Sequence, residues 1–242
     1  TALAQSINTV AARLANEVGT GNVASAAKRL GINSHIQLDP SMALGAVEVS
    51  PMEMAQAYAP FANGGFLAKG YGISRIRTAS GKILYDHSVE KAARTQVIGT
   101  PSLQYMNQMM RQVVAAGTGT RARVPGYDLA GKTGTASDDG DAWSVGYTGG
   151  CVTAVWVGKD DNKPMKRVTG GGAPAGMWRD FMSQALPRLK VQAIPGGTYT
   201  PPPQADPIGD LVDGIVDAIG GGAPAPPAQA PPQKAPADDI PY

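Results

Sequence analysis

The sequence predicts an α+β fold in which an antiparallel sheet packs against helices, and three observations carry that reading. Helix-period apolar stripes occupy much of the first 116 residues, strand-like runs crowd between 127 and 158, and one helical pattern closes the region at 175–186. The chain has 242 residues, 43% hydrophobic and 17% charged, which suffices for the core of one good-sized domain or two small ones.

Each element has a local reason. Val10, Ala11, Leu14, Ala15 and Val18 mark a first helix that stops at Gly19, a residue suited to the position just past a helix end. A second helix over 22–30 closes in the same way at Gly31. Ser50 opens a third as its N-cap, with Pro51 at the first helical position and Glu53 completing a capping box. That helix runs through Ala59 and gives way to the turn Asn63-Gly64-Gly65. Residues 73–77 and 82–85 read as a hairpin about Ser80-Gly81. Residues 101–116 form a methionine-rich amphipathic helix, its methionines filling core rather than lining a cofactor site. Strand candidates follow at 127–130, leading into Lys132, then at 143–147 and 152–158.

The composition breaks near residue 190, which sets the expected domain at 1–190 and a disordered Pro/Ala-rich tail at 191–242. Eleven of the twenty prolines lie beyond Thr200. Such a mixture cannot bury enough apolar surface to offset its ordering entropy, and it favours polyproline II. Leu211, Val212, Ile215, Val216 and Ile219 make a short amphipathic segment over 210–219, either a linker feature or a partner-docking helix.

Lys plus Arg number 21 against 19 Asp plus Glu, a net charge of +2 with no basic run, which argues against nucleic-acid binding. One cysteine, Cys151, and two isolated histidines, His35 and His87, exclude a disulfide scaffold and a Cys/His zinc cluster. Asp138, Asp139 and Asp141 cluster without the glutamate that an EF-hand calcium loop needs, so no metal site is expected. Cys151 reads as a small buried strand residue, and Trp143, Trp156 and Trp178 as core and helix-packing residues. No run approaches the ~18–20 apolar residues of a spanning helix. The chain opens at Thr1 inside a helix-like stretch, and reads as a fragment or processed product.

Gly131-Lys132-Thr133-Gly134-Thr135-Ala136 is the sharpest local signal. On a strand, Lys132 and Gly134 share one face while Thr133 and Thr135 share the other. A cation beside two hydroxyls makes a carboxylate-binding edge, and a glycine admits close approach of a ligand or backbone. The same letters also fit a strand entering a turn with a solvated lysine. Ser6-Ile7-Asn8 is the second signal. In an extended or loop segment its two polar groups face one site; alternatively Asn8 caps the helix that follows and Ser6 is a satisfied turn hydroxyl.

Taken in order, the two signals match the last two parts of the penicillin-recognising signature: a Ser-x-x-Lys nucleophile, a Ser-x-Asn motif and a Lys-Thr-Gly strand. The chain resembles the C-terminal part of the transpeptidase domain of penicillin-binding proteins, most closely the class A, bifunctional type. Ala43-Leu-Gly-Ala-Val-Glu-Val-Ser-Pro-Met-Glu-Met, Phe61-Ala-Asn-Gly-Gly, Gly117-Thr-Gly-Thr, Asp141-Ala-Trp-Ser-Val-Gly-Tyr-Thr and Val155-Trp-Val-Gly-Lys-Asp extend the likeness over about residues 1–187. The Ser-x-x-Lys that precedes Ser-x-Asn in the family is not formed by the five residues before Ser6. Ser25-Ala-Ala-Lys28 fits by letters but falls after the Ser-x-Asn, inside the second helix, which is the wrong context. The nucleophile is therefore expected upstream.

The resemblance implies the penicillin-binding transpeptidase fold, here incomplete, and a serine-type D,D-transpeptidase in the full-length protein, the fragment alone being inactive. It implies that Ser6 and Lys132 are catalytic, Ser6 relaying a proton and Lys132 holding a positive potential over it. It also implies that Asn8 bonds the substrate amide and that Thr133, Gly134 and Thr135 form the substrate-binding strand, both threonines meeting a carboxylate and the Thr135 N–H forming half of an oxyanion hole. Peptidoglycan stem peptides would be the substrates, β-lactams inhibitors, and no cofactor is required. The implied location is the extracytoplasmic face of the cytoplasmic membrane, with an anchor and a glycosyltransferase domain upstream and cell-wall synthesis proteins as partners of the tail. The competing reading is a non-catalytic relative that binds cell-wall peptide or partner proteins.

Overall fold

Ser50 and Glu53 start the third helix reciprocally, as the capping box requires. In the computed structural model, which describes residues 1–89, 94–136, 140–161 and 163–197, the Glu53 N–H donates to Ser50 Oγ at 3.2 Å and the Ser50 N–H to Glu53 Oε2 at 3.0 Å. This launches α3 (Pro51–Asn63), the third of the helices after α1 (Asn8–Val18) and α2 (Thr20–Leu30). Glu53 does more than cap. Its carboxylate also accepts the N–H groups of Asn33 and Ser34, each at 2.9 Å, and the Ser34 hydroxyl. It thereby ties the chain leaving α2 to the start of α3. The Ser50 N–H foremost, then the Ser34 hydroxyl and the two N–H groups, hold the Glu53 carboxyl down at about 2 from an ordinary 4.5. A depressed carboxyl contributes stability that is complete above about 4.5 and is lost as the pH falls toward 2. E53Q is therefore expected to melt below wild type at neutral pH, with the gap closing in acid. Circular-dichroism melts across that range check this, and a gap independent of pH would overturn it.

α1 ends at Gly19, with φ 90°, and α2 at the left-handed Gly31, with φ 107°. The apolar stripe that marks α1 is not its packed face: Val10, Leu14 and Val18 are exposed, and its buried residue is Ala15. α1 lies instead against α2 and the 3₁₀ turn Pro40–Leu44, where a small side chain permits close approach. The predicted hairpin forms, β1 (Arg75–Arg77) pairing antiparallel with β2 (Ile83–Asp86). α4 (Thr100–Ala116) buries Met110 but leaves Met109 exposed, so core filling holds for only part of its methionine face.

The sheet is β3 (Ala130–Thr135), β4 (Asp141–Thr148) and β5 (Cys151–Gly158), in the order β3-β4-β5 and antiparallel throughout. β3 starts later than the predicted 127. Asp128 turns its carboxylate to Arg111 on α4, and pairing with β4 begins only at Ala130–Tyr147. One sheet face is covered by α5 (Ala173–Ala185). A Cβ on Gly146 would stand 2.7 Å from the Trp178 ring, so the missing side chain is what lets that indole lie on the sheet. Trp178 is buried and donates its indole N–H to the Thr153 carbonyl at 3.0 Å. Against the other face, Tyr147 packs with Phe61 and Ala62 of α3 and Leu103 and Met110 of α4.

Trp178 is thus the core residue expected, but Trp143 is half-buried and Trp156 is 40% exposed. The two pair across β4 and β5, with the Trp156 ring lying over Gly158. Cys151 is half-buried rather than buried, because it opens β5 at the margin of the α5 cluster. Residues 191–197, expected to begin the tail, pack on the domain: Gln192 bridges to Gly149 and Ile194 is buried in the core. The rest of the expected tail, 198–242 with its segment 210–219, and Asp138 and Asp139 lie outside the described residues. No helix among the described residues is long and apolar enough to cross a membrane.

Candidate active site

The residues before α1 form a tight turn rather than an extended segment. The N–H groups of Gln5, Ser6 and Ile7 donate back to the carbonyls of Thr1, Leu3 and Ala2, and Ser6 takes a left-handed φ of 54°. That conformation costs a non-glycine residue about 1–2 kcal/mol and turns its side chain off the helix line. Ser6 thus stands on a turn, and Asn8 two residues on at the start of the helix, rather than on an extended stretch. Asn8 is the exposed first residue of α1, and it is not the N-cap either, since Ile7 holds that position.

Ser6 and Lys132, 126 positions apart in sequence, meet. Lys132 Nζ donates to Ser6 Oγ at 2.8 Å and to the Thr133 carbonyl at 2.7 Å. Neither acceptor is charged, so the ammonium's field is directed at the serine hydroxyl. Burial holds the Lys132 pKa below the usual lysine value.

The turn is braced from behind. The Thr118 N–H donates to the Ala4 carbonyl at 3.0 Å, and the Gln5 side chain donates to the Ala116 carbonyl at 3.1 Å. Gly117 is required there, because a Cβ would stand 2.2 Å from the Ala4 carbonyl oxygen. Thr118 then pairs its hydroxyl with that of Thr133 at 2.6 Å. One residue therefore links the Ser6 turn to the strand that carries Lys132. Thr118 was not among the candidate residues, and Gly117-Thr-Gly-Thr between a helix and a strand was the signal that pointed to it.

Thr133 is consequently not a free hydroxyl at the strand edge: it is 8% exposed and committed to Thr118. Thr135 is exposed at the end of β3, and its Oγ1 accepts the Gly170 N–H at 3.0 Å. Its backbone has an assigned direction. The Ala136 N–H donates inward to Asp141 O at 2.9 Å, and strand amides alternate. The Thr135 N–H therefore points to the outer edge of β3, the side that has no partner strand in this sheet. Gly134 lies on the Lys132 face, so this stretch of edge stays open to close approach. Among the described residues no three His, Cys, Asp or Glu side chains gather where a metal could sit. Ser25 and Lys28 stay within α2, where Ser25 Oγ donates to the Gly21 carbonyl, one turn back.

A strand edge offering an outward N–H, with a lysine held on a serine hydroxyl, is the arrangement an acyl-transfer site needs beside its nucleophile. The profile of the penicillin-binding protein transpeptidase domain matches residues 1–182. The chain belongs to that family. Penicillin-binding protein 1A of Aquifex aeolicus is 36% identical over 206 residues, covering 84% of this chain and 27% of that protein. Penicillin-binding protein 1A of Neisseria lactamica is 37% identical over 190 residues, covering 76% and 24%. Among solved structures, the penicillin-binding protein PonA1 of Mycobacterium tuberculosis matches with a TM-score of 0.74 at 27% identity, covering 84% of this chain and 61% of that one. Penicillin-binding protein 1A of Haemophilus influenzae matches with a TM-score of 0.70 at 26% identity, covering 84% and 36%. The transpeptidase domain described here thus spans about a quarter of the length of those curated relatives. The predicted fold class is the observed one, a mixed helical and antiparallel domain of the penicillin-binding type.

Proposed function

We propose that in the whole protein this domain completes the site of a peptidoglycan D,D-transpeptidase, with the serine nucleophile and its lysine on a Ser-x-x-Lys segment outside these residues. Held 2.8 Å apart, Lys132 and Ser6 are the observation that carries this reading. The nucleophilic serine attacks the penultimate D-alanine carbonyl of a stem peptide, the terminal D-alanine leaves, and an amine of a second stem takes the acyl group. Ser6 relays the proton to the leaving amine, and the Lys132 ammonium stabilises the charge that Ser6 and the substrate carboxylate bring together. The outward Thr135 N–H serves as an oxyanion donor, a contribution that is typically ~3–4 kcal/mol of barrier lowering. Asn8 bonds the substrate amide and Gly134 lets the peptide lie against β3. Of the two threonines, exposed Thr135 meets the carboxylate, while Thr133 holds the strand to Thr118. The PonA1 structure that contains penicillin V has a TM-score of 0.72 to this chain and 28% identity, which supports β-lactams as inhibitors here.

The substrate places the whole protein at the extracytoplasmic face of the cytoplasmic membrane. In the same reading, cell-wall synthesis proteins dock through the residues that follow the domain. The test is incubation of the whole protein with a fluorescent penicillin, followed by denaturing electrophoresis and peptide mapping. The expected result is one covalent label on the serine of a Ser-x-x-Lys, retained when residues 200–242 are deleted. Reversible binding without covalent label would instead establish the non-catalytic reading.

A further inference from the structure

Lys132 Nζ donates to two acceptors, and one residue outside the two motifs is bonded to the segments that carry both. The first acceptor, Ser6 Oγ at 2.8 Å, stands on the turn whose Ala4 carbonyl accepts the Thr118 N–H at 3.0 Å. The second, the Thr133 carbonyl at 2.7 Å, belongs to the residue whose hydroxyl pairs with that of Thr118 at 2.6 Å. The contacts close a circuit from the Ser6 turn through Thr118 and Thr133 to Lys132, and back to Ser6. Thr118 itself has a rigid mount. Its neighbours Gly117 and Gly119 both donate their N–H groups to the carbonyl of buried Val113, at 3.1 and 3.0 Å, where α4 ends. A Cβ on Gly171 would stand 2.4 Å from the Thr118 carbonyl oxygen, so the bare chain leading into α5 closes over it.

The strand puts this link where its length matters. The alternation that turns the Thr135 N–H outward also turns the Thr133 carbonyl to the outer edge of β3, so Lys132 reaches round to that edge, where Ser6 stands. Two hydroxyl oxygens at 2.6 Å are about 1 Å closer than two carbon atoms pack, at roughly 3.5–4.0 Å. The hydroxyl pair therefore sets a spacing between turn and strand that an apolar pair of the same shape does not reach. We infer that Thr118 is a positioning residue of the acylation step. Its N–H holds the turn and its hydroxyl holds the strand, at the spacing where the Lys132 ammonium spans Ser6 Oγ and the Thr133 carbonyl. Thr118 acts through these two residues, and a 1 Å misplacement of such groups costs up to about a hundredfold in rate. The inference rests on the transpeptidase reading, in which Ser6 relays the proton.

The experiment follows acylation of the whole protein by a fluorescent penicillin over a range of concentrations, which separates the limiting acylation rate constant from the affinity of the preceding complex. T118V removes the hydroxyl, keeps the shape and leaves the N–H bond to Ala4 in place. It is expected to lower the limiting constant about thirtyfold with the affinity within about threefold, while T118S, which keeps a hydroxyl, stays within about threefold of wild type. T118V/T133V separates positioning from folding. Valine at 118 alone leaves the buried Thr133 hydroxyl without that partner and lowers the melting temperature, whereas the double variant has no orphan and regains it. Its facing methyl groups still hold turn and strand about 1 Å too far apart, so its acylation is expected to remain near that of T118V. If T118V does not fold, the double variant against wild type makes the same comparison. Acylation that recovers together with the melting temperature overturns the inference, because it reduces Thr118 to a stabilising contact. An unchanged limiting constant in T118V overturns it as well, and a loss confined to affinity makes Thr118 a substrate contact instead. A wild-type protein that acquires no covalent label overturns the transpeptidase reading itself, so the two failures are distinguishable.

Discussion

Lys132→Ala in the whole protein abolishes covalent labelling by a β-lactam, with the acylation rate expected to fall about three orders of magnitude. Lys132 is the charged group in contact with Ser6, its Nζ 2.8 Å from the hydroxyl. Without it the hydroxyl loses the field that favours its passing a proton, and the substrate carboxylate loses its counter-charge. The backbone ladder of β3 does not depend on the side chain, so the variant is expected to fold. Thermal melting is the control, and a time course of fluorescent penicillin labelling is the measurement. The pH profile adds a second test. Burial lowers the Lys132 pKa from the ordinary 10.5, so the ammonium is lost on the alkaline side before a free lysine would lose it. Acylation is therefore expected to decline at a pH below 10.5. Wild-type labelling rates in K132A would remove Lys132 from the site.

Asp128→Ala lowers the stability of the domain by about 3–5 kcal/mol, the cost of leaving a buried charge without its partner. The Arg111 guanidinium meets Asp128 through two bonds, Nε to Oδ1 at 2.7 Å and Nη2 to Oδ2 at 2.8 Å. The bidentate contact raises the Arg111 pKa further above its ordinary value. Asp128 Oδ2 also accepts the Ile194 N–H at 2.8 Å, and Arg111 donates to the Ile194 carbonyl at 2.9 Å. Asn107 completes the hold: it donates to the Phe61 and Pro195 carbonyls and accepts the Tyr147 hydroxyl. Removing Asp128 thus strands Arg111 and releases the segment that follows α5. Calorimetry on the whole protein should show the transition of this domain falling by on the order of 10 °C, at roughly 2–4 °C per kcal/mol. D128N, which keeps an acceptor, should fall less. A loss under about 1 kcal/mol in D128A would show that water reaches and solvates Arg111.

Much of the fold was legible because its signals are local. Ser50, Pro51 and Glu53 lie within one turn, and a cap depends only on the chain around it. Gly19 and Gly31 end helices for a steric reason carried by the single residue. The crowding of apolar runs between 127 and 158 left no room for crossovers, so antiparallel pairing followed. The Ser-x-Asn and Lys-Thr-Gly letters named Ser6 and Lys132 before any geometry did. What they did not disclose is that Ser6 needs a left-handed turn, that Thr133 faces Thr118, or that Asn8 opens a helix it does not cap.

The tryptophans show the limit most plainly. Composition treats all three alike, yet Trp178 is buried under the sheet and Trp156 lies exposed over Gly158. Which one is covered depends on where α5 lands, and that is set by Gly146, 32 positions before Trp178. By itself the sequence determined the α+β class, the element order, the helix ends and the identity of the Ser6–Lys132 pair, because propensity, capping and motif spacing act over a few residues. The tertiary structure alone decided the bridge from Ala4 through Thr118 to Thr133, the Arg111–Asp128–Ile194 clamp and the tilted Trp143–Trp156 pair. Each of these joins groups far apart in the chain, and only packing brings such groups within bonding distance.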